Sequence, residues 1–193
     1  MEDNTKKENY IKQAWLVIFL SLFFGVILAA VQITLSDRIN SNKLKETIQQ
    51  IPALVPGAEK GELLSLPAID VYRAIKGDRQ IGWVVPLKGQ GFADKVELLV
   101  GFDAEVKNIT GVYVLDQKET PGLGNKIVED VWRNQFNNKS AEKKLVVIKT
   151  PSNVENSIVA VVGATISSDT VCNIINTGVK EFADILKENV KKN

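Results

Sequence analysis

Two glycine-containing segments of this sequence carry side chains that could bind or react with a ligand. The first reads Lys-Glu-Thr-Pro-Gly-Leu-Gly at residues 118–124. Pro121 fixes its own φ, while Gly122 and Gly124 can adopt positive φ and let a flat ligand approach the backbone. From these residues alone, a Pro-Gly turn between a strand and a helix is the commoner explanation.

The second segment reads Gly-Ala-Thr-Ile-Ser-Ser-Asp at residues 163–169 and precedes an apolar helical pattern. Ser167, Ser168 and Asp169 are all suitable residues for a helix N-cap. The small residues before them leave the helix N-terminus open, where free N–H groups and the helix dipole favour a phosphate. Thr165 would present its hydroxyl there. A capped helix start without any ligand is the alternative.

Composition excludes several kinds of chemistry. The 193 residues include no histidine and a single cysteine, Cys172. Imidazole acid–base catalysis, an intrachain disulfide and a metal or iron–sulfur centre held by Cys or His are therefore excluded, and we predict no metal site. The net charge of +1 gives no indication of a nucleic-acid partner. Any redox chemistry must come from a cofactor held in another way.

Residues 14–35 contain no charged side chain. As a helix they would reach about 33 Å, enough to cross a hydrocarbon core of about 30 Å. A cleaved signal peptide or a buried core helix is the alternative, but both are usually shorter or less uniformly apolar. Three basic residues closely follow the span and three precede it, so the charges do not choose an orientation in the lipid bilayer.

The rest of the sequence predicts one α+β domain. We divide the chain into a short N-terminal tail at 1–13, a transmembrane helix at 14–35, a stalk helix and linker at 36–66, and a domain at 67–193. Helical spacing after the span ends near Pro52. The domain should contain an antiparallel-rich sheet with flanking helices. Strands are predicted at 69–75, 81–87, 96–102, 109–115, 145–148 and 158–162, and helices at 127–136 and 169–191.

Together the two glycine-containing segments are distinctive. K-E-T-P-G-L-G-N-K-I at 118–127, followed by G-A-T-I-S-S at 163–168, resembles the FMN-binding domain of the G subunit of the Rnf electron-transport complex. It is also similar to the C subunit of the sodium-pumping NADH:quinone reductase. The single anchor, Gly82-Trp83 and residues 100–103 and 112–115 extend the resemblance over most of the chain. Lys118 and residues 125–127 favour the Rnf protein.

The resemblance implies a covalent cofactor. In this family the corresponding threonine, here Thr165, is joined to FMN through a phosphoester bond made by a separate Mg-dependent flavin transferase that uses FAD as donor. Gly163 and Ala164 would be needed because larger side chains at these positions would block the phosphate or the transferase. Ser167 and Ser168 would either hydrogen-bond the phosphate or cap the helix.

The resemblance also places the flavin ring and ribityl chain against residues 119–124. The residues expected to contact them are Glu119, Thr120, Leu123 and Gly124.

The implied role is that of an electron carrier. The protein would relay electrons within a complex that couples transfer between ferredoxin and NAD to ion movement, and would catalyse nothing alone. Its partners would be the other Rnf subunits and, during maturation, the flavin transferase. The domain would lie on the extracytoplasmic side of the bacterial cell membrane, where free FMN cannot be resupplied.

One departure from the family pattern leaves other functions open. The family usually has an acidic residue six positions before the acceptor threonine and Ser or Thr three before it, whereas this chain has Val159 and Val162. A flavin-free structural subunit is therefore one alternative. The FMN-binding subunit of the sodium-pumping NADH:quinone reductase, or of another membrane reductase, is a second alternative. An anchored small-ligand binding module, which only the glycine-rich turn favours, is a third.

Three further residues are predicted to pack rather than react. Trp83 and Trp132 are expected in the core or beside the flavin. Cys172 follows Val171 in the apolar terminal helix, so we expect a buried, unreactive thiol.

Overall fold

The computed structural model describes residues 2–67 and 69–192, so Met1 of the predicted tail lies outside the described residues. Two compact units are present, residues 1–45 and residues 46–193. A long helix, α1 (Glu2–Leu54), forms the first unit and supplies the opening residues of the second. Within its segment Ala14–Leu54, a stretch of 18 residues has a mean hydropathy of 2.7, and none of that stretch is buried. The helix is therefore long and apolar enough to cross a membrane.

The second unit is built on a six-stranded antiparallel sheet in which each strand pairs with the next along the chain. The strands are β1 (Lys60–Ser65), β2 (Asp70–Lys76), β3 (Arg79–Gln90), β4 (Lys95–Asp103), β5 (Asn108–Asp116) and β6 (Lys139–Ser140). Two short parallel strands, β7 (Val146–Ile148) and β8 (Ser157–Val159), form a separate pair. The predicted α+β class with an antiparallel-rich sheet is confirmed.

Helices flank this sheet. Between β5 and β6 lie a 3-10 segment (Gly124–Val128), a short helix α2 (Asp130–Arg133) and a second 3-10 segment (Asn134–Phe136). The last element is α3 (Thr165–Lys192), whose apolar residues pack in the larger hydrophobic cluster together with Phe102 and Phe136. In that cluster Phe182 of α3 stacks on Phe102 with ring centroids 6.2 Å apart.

A smaller hydrophobic cluster joins the last turn of α1 to the sheet. Ile51, Leu54 and Val55 pack there against β2, β3 and β4. Along β4, Leu98 and Val100 belong to the larger cluster and Leu99 to the smaller one, because successive side chains of a strand point to opposite faces. The sheet is therefore covered on both faces.

Glycines make room for the end of α1. Gly101 and Gly111 are paired across β4 and β5. A Cβ atom built on Gly101 would lie 2.4 Å from the carbonyl oxygen of Leu54, and one on Gly111 would lie 3.0 Å from it. The same carbonyl oxygen accepts a hydrogen bond of 2.6 Å from the Thr110 hydroxyl. The end of α1 therefore packs directly against the backbone of β4 and β5 at two glycines, which carry no side chain.

Two sequence-based boundaries were wrong. The segments predicted as a transmembrane helix and a stalk helix form one continuous helix, which passes Pro52 and ends at Leu54. Strand β1 lies in the predicted linker, where it pairs with β2 along its whole length. Helix α3 begins at Thr165 rather than Asp169, four residues earlier than predicted.

Candidate functional site

The segment that carries Thr165 is a tight connection from β8 to α3. The N–H of Ala164 donates to the carbonyl oxygen of Val161 at 2.9 Å, and Gly163 has a φ of +78°. Such a φ is rarely adopted by residues with a side chain, so this turn requires glycine. Thr165 is the first residue of α3, and its side chain is partly exposed.

The first turn of α3 has an open N-terminus. Its first intrahelical bond runs from the Ser168 N–H to the Ala164 carbonyl oxygen at 3.1 Å. The N–H groups of Thr165, Ile166 and Ser167 therefore come before the helical hydrogen-bond pattern, where they can face an anion. Because α3 has 28 residues, its dipole favours negative charge at this end.

Neither serine of this turn is an N-cap, because α3 already begins at Thr165. Ser168 is fully buried; its hydroxyl accepts from the Val161 N–H and donates to the Ala164 carbonyl oxygen, each at 3.0 Å. Ser167 is only 4% exposed, and its hydroxyl donates to Oε2 of Glu119 at 2.6 Å. Both hydroxyls are thus engaged with protein groups instead of lying open at the helix end.

The Thr-Pro-Gly-Leu-Gly turn lies next to this helix start. The N–H groups of Leu123 and Asn125 both donate to the Thr120 carbonyl oxygen at 3.2 Å. Gly122 has a φ of +77°, and a Cβ atom built there would have no neighbour within 4 Å. Gly122 therefore adopts a positive φ in open space, as its lack of a side chain allows.

Gly124 differs from Gly122. It is buried and is not among the described glycines with positive φ. A Cβ atom there would lie 2.6 Å from Oγ of Ser167 and 2.9 Å from Oε2 of Glu119. Gly124 therefore does not use the positive φ that is open to a glycine, and it leaves room instead for a hydrogen-bonded pair of side chains.

Glu119 is the most heavily bonded side chain of the turn. It is 4% exposed, and its Oε1 accepts from the N–H groups of Phe92 at 2.8 Å and Ala93 at 3.3 Å. Its Oε2 accepts from Ser167. Three segments that are far apart in sequence therefore meet at one carboxylate, which we call the Glu119 clasp: Glu119 itself, the turn at residues 91–94 and Ser167. Direct contact of Glu119 with a flavin stays a prediction.

Sequence reasoning did not connect the turn between β3 and β4 with the site. Its Gly91 N–H donates to the Asp94 carbonyl oxygen at 2.8 Å, and a Cβ atom on Gly91 would lie 2.3 Å from Oε1 of Glu119. Phe92 is 62% exposed at the tip. The available signal was the spacing of Gly89 and Gly91 before an aromatic residue, which marks a turn without indicating what it contacts.

Apolar side chains surround the open helix end. Leu123 is 45% exposed, Ile166 58% and Val162 89%. A Cβ atom built on Gly163 would lie 3.0 Å from a methyl group of Leu123, so the two predicted segments approach each other here. The structure thus brings together Leu123 with Gly163, and Glu119 and Gly124 with Ser167.

Sequence reasoning also missed a polar atom in this region. Oδ1 of Asn125, directly after Gly124, is buried and makes no hydrogen bond within the described part of the chain. A buried acceptor without a partner is unusual in folded proteins, so this oxygen is available to a ligand or a water molecule.

Comparison with known proteins identifies the family. Residues 91–180 match the FMN-binding domain family. The G subunit of the proton-translocating ferredoxin:NAD(+) oxidoreductase complex of Clostridium ljungdahlii is 34% identical over 160 residues, 83% of this chain and 82% of that protein. The chain belongs to the family of Rnf complex G subunits.

Two further likenesses agree with this family. The G subunit of the Na(+)-translocating ferredoxin:NAD(+) oxidoreductase complex of Acetobacterium woodii is 35% identical over 133 residues, 68% of this chain and 61% of that protein. The crystal structure of the C subunit of the Na(+)-translocating NADH-quinone reductase from Parabacteroides distasonis superposes with a TM-score of 0.54 at 23% identity, over 61% of this chain and 62% of that one. The likeness to the Parabacteroides distasonis structure concerns the fold alone.

The two valines that depart from the family pattern lie in different surroundings. The backbone N–H of Val159 donates to Oε1 of Gln135 at 2.8 Å, and its carbonyl oxygen accepts from Nε1 of Trp132 at 2.9 Å. Val162 is almost fully exposed. Position 159 is thus fixed by backbone contacts, whereas position 162 presents its side chain to the surface near Thr165.

Both tryptophans of the domain pack with its hydrophobic core, Trp132 as a buried residue and Trp83 as a partly buried one. Trp132 is buried against Phe136 with ring centroids 5.1 Å apart. Trp83 packs against Phe182 at 5.5 Å, and its Nε1 donates to the Ala104 carbonyl oxygen at 3.2 Å. The predicted packing role is confirmed for both.

Cys172 is expected to resist alkylation in the folded protein. It is 2% exposed, and burial raises the pKa of its thiol to about 12, with the Asp169 charge adding to the rise. Only about one thiol in ten thousand would be ionised at pH 8, so maleimide labelling should be about 1,000-fold slower than for a free cysteine. Labelling followed by mass spectrometry checks this, with the denatured chain as the control. Rapid labelling without denaturant would contradict it.

Proposed function

We propose that this chain is the membrane-anchored FMN-carrying subunit of an Rnf-type ion-translocating oxidoreductase, with FMN attached to Thr165 through a phosphoester bond. The observation that carries the proposal is the position of the Thr165 hydroxyl at the open N-terminus of α3, within an FMN-binding domain. The names of the relatives add the context of a ferredoxin:NAD(+) oxidoreductase complex.

The residues around Thr165 fit the phosphate end of FMN. The unpaired N–H groups at the start of α3 and its dipole favour the charge of a phosphodiester. Gly163 supplies the φ of +78° that the turn before Thr165 requires. Since Ser167 and Ser168 are buried in bonds to protein, the backbone rather than their hydroxyls would hold the phosphate.

The residues beyond Thr165 fit a flat, mostly apolar ring system. Leu123 and Ile166 offer exposed apolar surface, and open space surrounds Gly122. Asn125 offers an acceptor oxygen that no described residue uses. Bound FMN would supply the one- and two-electron chemistry, while these residues orient the ring and exclude water from one side. Thr120 is exposed on the turn, and its contact with the flavin stays a prediction.

Attachment of the cofactor would need a partner enzyme. A flavin transferase would catalyse attack of the Thr165 oxygen on the FMN phosphorus of FAD. The threonyl O–P bond forms, the pyrophosphate bond of FAD breaks, AMP leaves, and the hydroxyl proton passes to a base of the transferase. No electron is transferred in this step. The partial exposure of Thr165 is compatible with access by such an enzyme.

We propose that α1 anchors the domain in a bilayer through residues 14–35. The segment is apolar, and none of its most apolar stretch is buried within the protein. We propose the extracytoplasmic side for the domain, as the resemblance implies, because a covalent bond there would prevent loss of FMN that cannot be replaced. The other subunits of the complex would be its electron donor and acceptor.

A flavin-free structural subunit is the second candidate, and Val159 and Val162 favour it. Both positions lack the polar side chains usual before the acceptor threonine. This candidate keeps the same membrane complex and fold but has no cofactor on Thr165.

The intact mass of the chain distinguishes the two candidates. The full chain should be produced with a flavin transferase and purified in detergent, beside a reference protein known to be flavinylated in that host. We expect a mass increase equal to one FMN less one water, and flavin fluorescence that stays with the denatured band on a gel. An unshifted mass, with the reference protein fully modified, would support the structural role.

A further inference from the structure

We infer that Glu119 is a positioning residue for Thr165, and that the Glu119 clasp fixes the acceptor helix against both turns of the site. The inference rests on the proposed function, because it concerns the residue that would receive FMN. Glu119 itself does not need to touch the flavin.

The first support is the number of segments that one carboxylate joins. The Phe92 and Ala93 N–H groups come from the turn between β3 and β4, and the Ser167 hydroxyl comes from the first turn of α3. Glu119 directly precedes Thr120, so the same residue also begins the Thr-Pro-Gly-Leu-Gly turn. Ser167 is two residues after Thr165, which places the acceptor within the tethered helical turn.

The second support is the space that surrounding residues leave for this carboxylate. Gly91 and Gly124 each occupy a position where a β-carbon would come within 3.0 Å of a carboxylate oxygen of Glu119. The glycines on both sides are therefore required by packing around Glu119. A carboxylate that is 4% exposed is costly to bury unless hydrogen bonds compensate, and here donors from two other segments supply them.

The clasp has a consequence for flavin attachment. Transfer to a hydroxyl depends on holding it in the attacking geometry, and displacement of about 1 Å can lower such a rate by about 100-fold. Without the clasp, the large hydrophobic cluster under α3 would keep the fold, but the first turn of α3 would lose its polar link to the two turns. We therefore expect slow modification of a folded chain.

Three variants of the full chain separate positioning from charge. Glu119→Leu removes every acceptor, and Ser167→Ala removes only the link to α3. Glu119→Gln keeps all three links without the charge, because its carbonyl oxygen can accept from Phe92 and Ala93 while its amide donates to Ser167. Thr110→Val is the matched control, because it removes one hydrogen bond on the opposite face of the sheet.

Two measurements are made on each variant. The first is kcat/KM for flavinylation by a flavin transferase with FAD, which should fall about 10- to 100-fold in Glu119→Leu and Ser167→Ala. It should stay near the rate of the unsubstituted chain in Glu119→Gln and Thr110→Val. The second is hydrogen exchange at the Phe92 and Ala93 amides in the flavin-free chain. It should accelerate in Glu119→Leu and remain slow in Glu119→Gln.

The outcomes separate this inference from the proposed function. A folded Glu119→Leu chain that is flavinylated at the normal rate overturns the inference, while the proposed function stands because FMN is attached. Equal losses in Glu119→Gln and Glu119→Leu also overturn it, since charge and not position would then matter. If the unsubstituted chain takes no flavin, the proposed function fails, and hydrogen exchange still decides whether the clasp holds the turns. Should Glu119→Leu not fold, Ser167→Ala decides.

Discussion

Replacing Thr165 with alanine is expected to abolish covalent flavin completely while leaving the fold intact. Thr165 begins α3 with a partly exposed side chain, and its hydroxyl is the only group at this position that can form the phosphoester. Alanine is a good helix former, so the substitution should change the free energy of unfolding by less than about 1 kcal/mol. In-gel flavin fluorescence and intact mass measure the result.

Two further variants sharpen the Thr165 experiment. Thr165→Ser keeps a hydroxyl and should retain some flavin, which would tie the loss in alanine to chemistry and not to structure. Thr177→Ala removes an exposed threonine farther along α3 and should leave the covalent bond intact. Fluorescence that survives in Thr165→Ala would place the attachment at another residue and refute the proposed site.

Replacing Gly101 with alanine is expected to destabilise the domain on the face away from α3. The added Cβ atom would lie 2.4 Å from the Leu54 carbonyl oxygen, a backbone atom that cannot rotate away. Leu54 must therefore shift, and its hydrogen bond from Thr110 would weaken. Overpacking of this kind costs about 1–3 kcal/mol. Thermal unfolding of the full chain in detergent, followed by near-ultraviolet circular dichroism, should show a lower midpoint.

Gly25→Ala is the matched control for Gly101→Ala. It is the same substitution at a glycine in α1 where a Cβ atom has no neighbour within 4 Å. Its midpoint should stay unchanged. An unchanged midpoint in Gly101→Ala would contradict the close seating of the end of α1 on the sheet. Because Gly101 faces Leu54 rather than the flavin site, both variants should still carry covalent FMN.

The central strands were predictable because their signals are local. Residues 96–102 and 109–115 consist mostly of strand-forming residues bounded by turn residues, and they form the middle of β4 and β5. Strand β1 was missed because it is a short edge strand between Pro56-Gly57 and Pro67, so its residues look like a linker. Its pairing with β2, and not its own pattern, makes it a strand.

The start of α3 illustrates a different limit. Ser167 and Ser168 are typical N-cap residues, and the sequence therefore predicted a later helix start. In the structure the Ser168 hydroxyl hydrogen-bonds to the backbone of the Val161–Ala164 turn, and the Ser167 hydroxyl hydrogen-bonds to Glu119. Both residues can therefore belong to the first turn of the helix without capping it. The partner of Ser167 is 48 residues away along the chain, and no local pattern could indicate it.

By itself the sequence determined the chemical types available: an uncharged span long enough for a bilayer, a threonine after Gly-Ala, and no histidine that could do acid–base work. These are properties of single residues or short runs. Only the tertiary structure decided which polar groups are free and which are engaged. It buries Glu119, gives Gly124 a packing role and brings the Phe92 turn to the site, because hydrogen bonds between distant segments form only when the sheet and α3 are packed together.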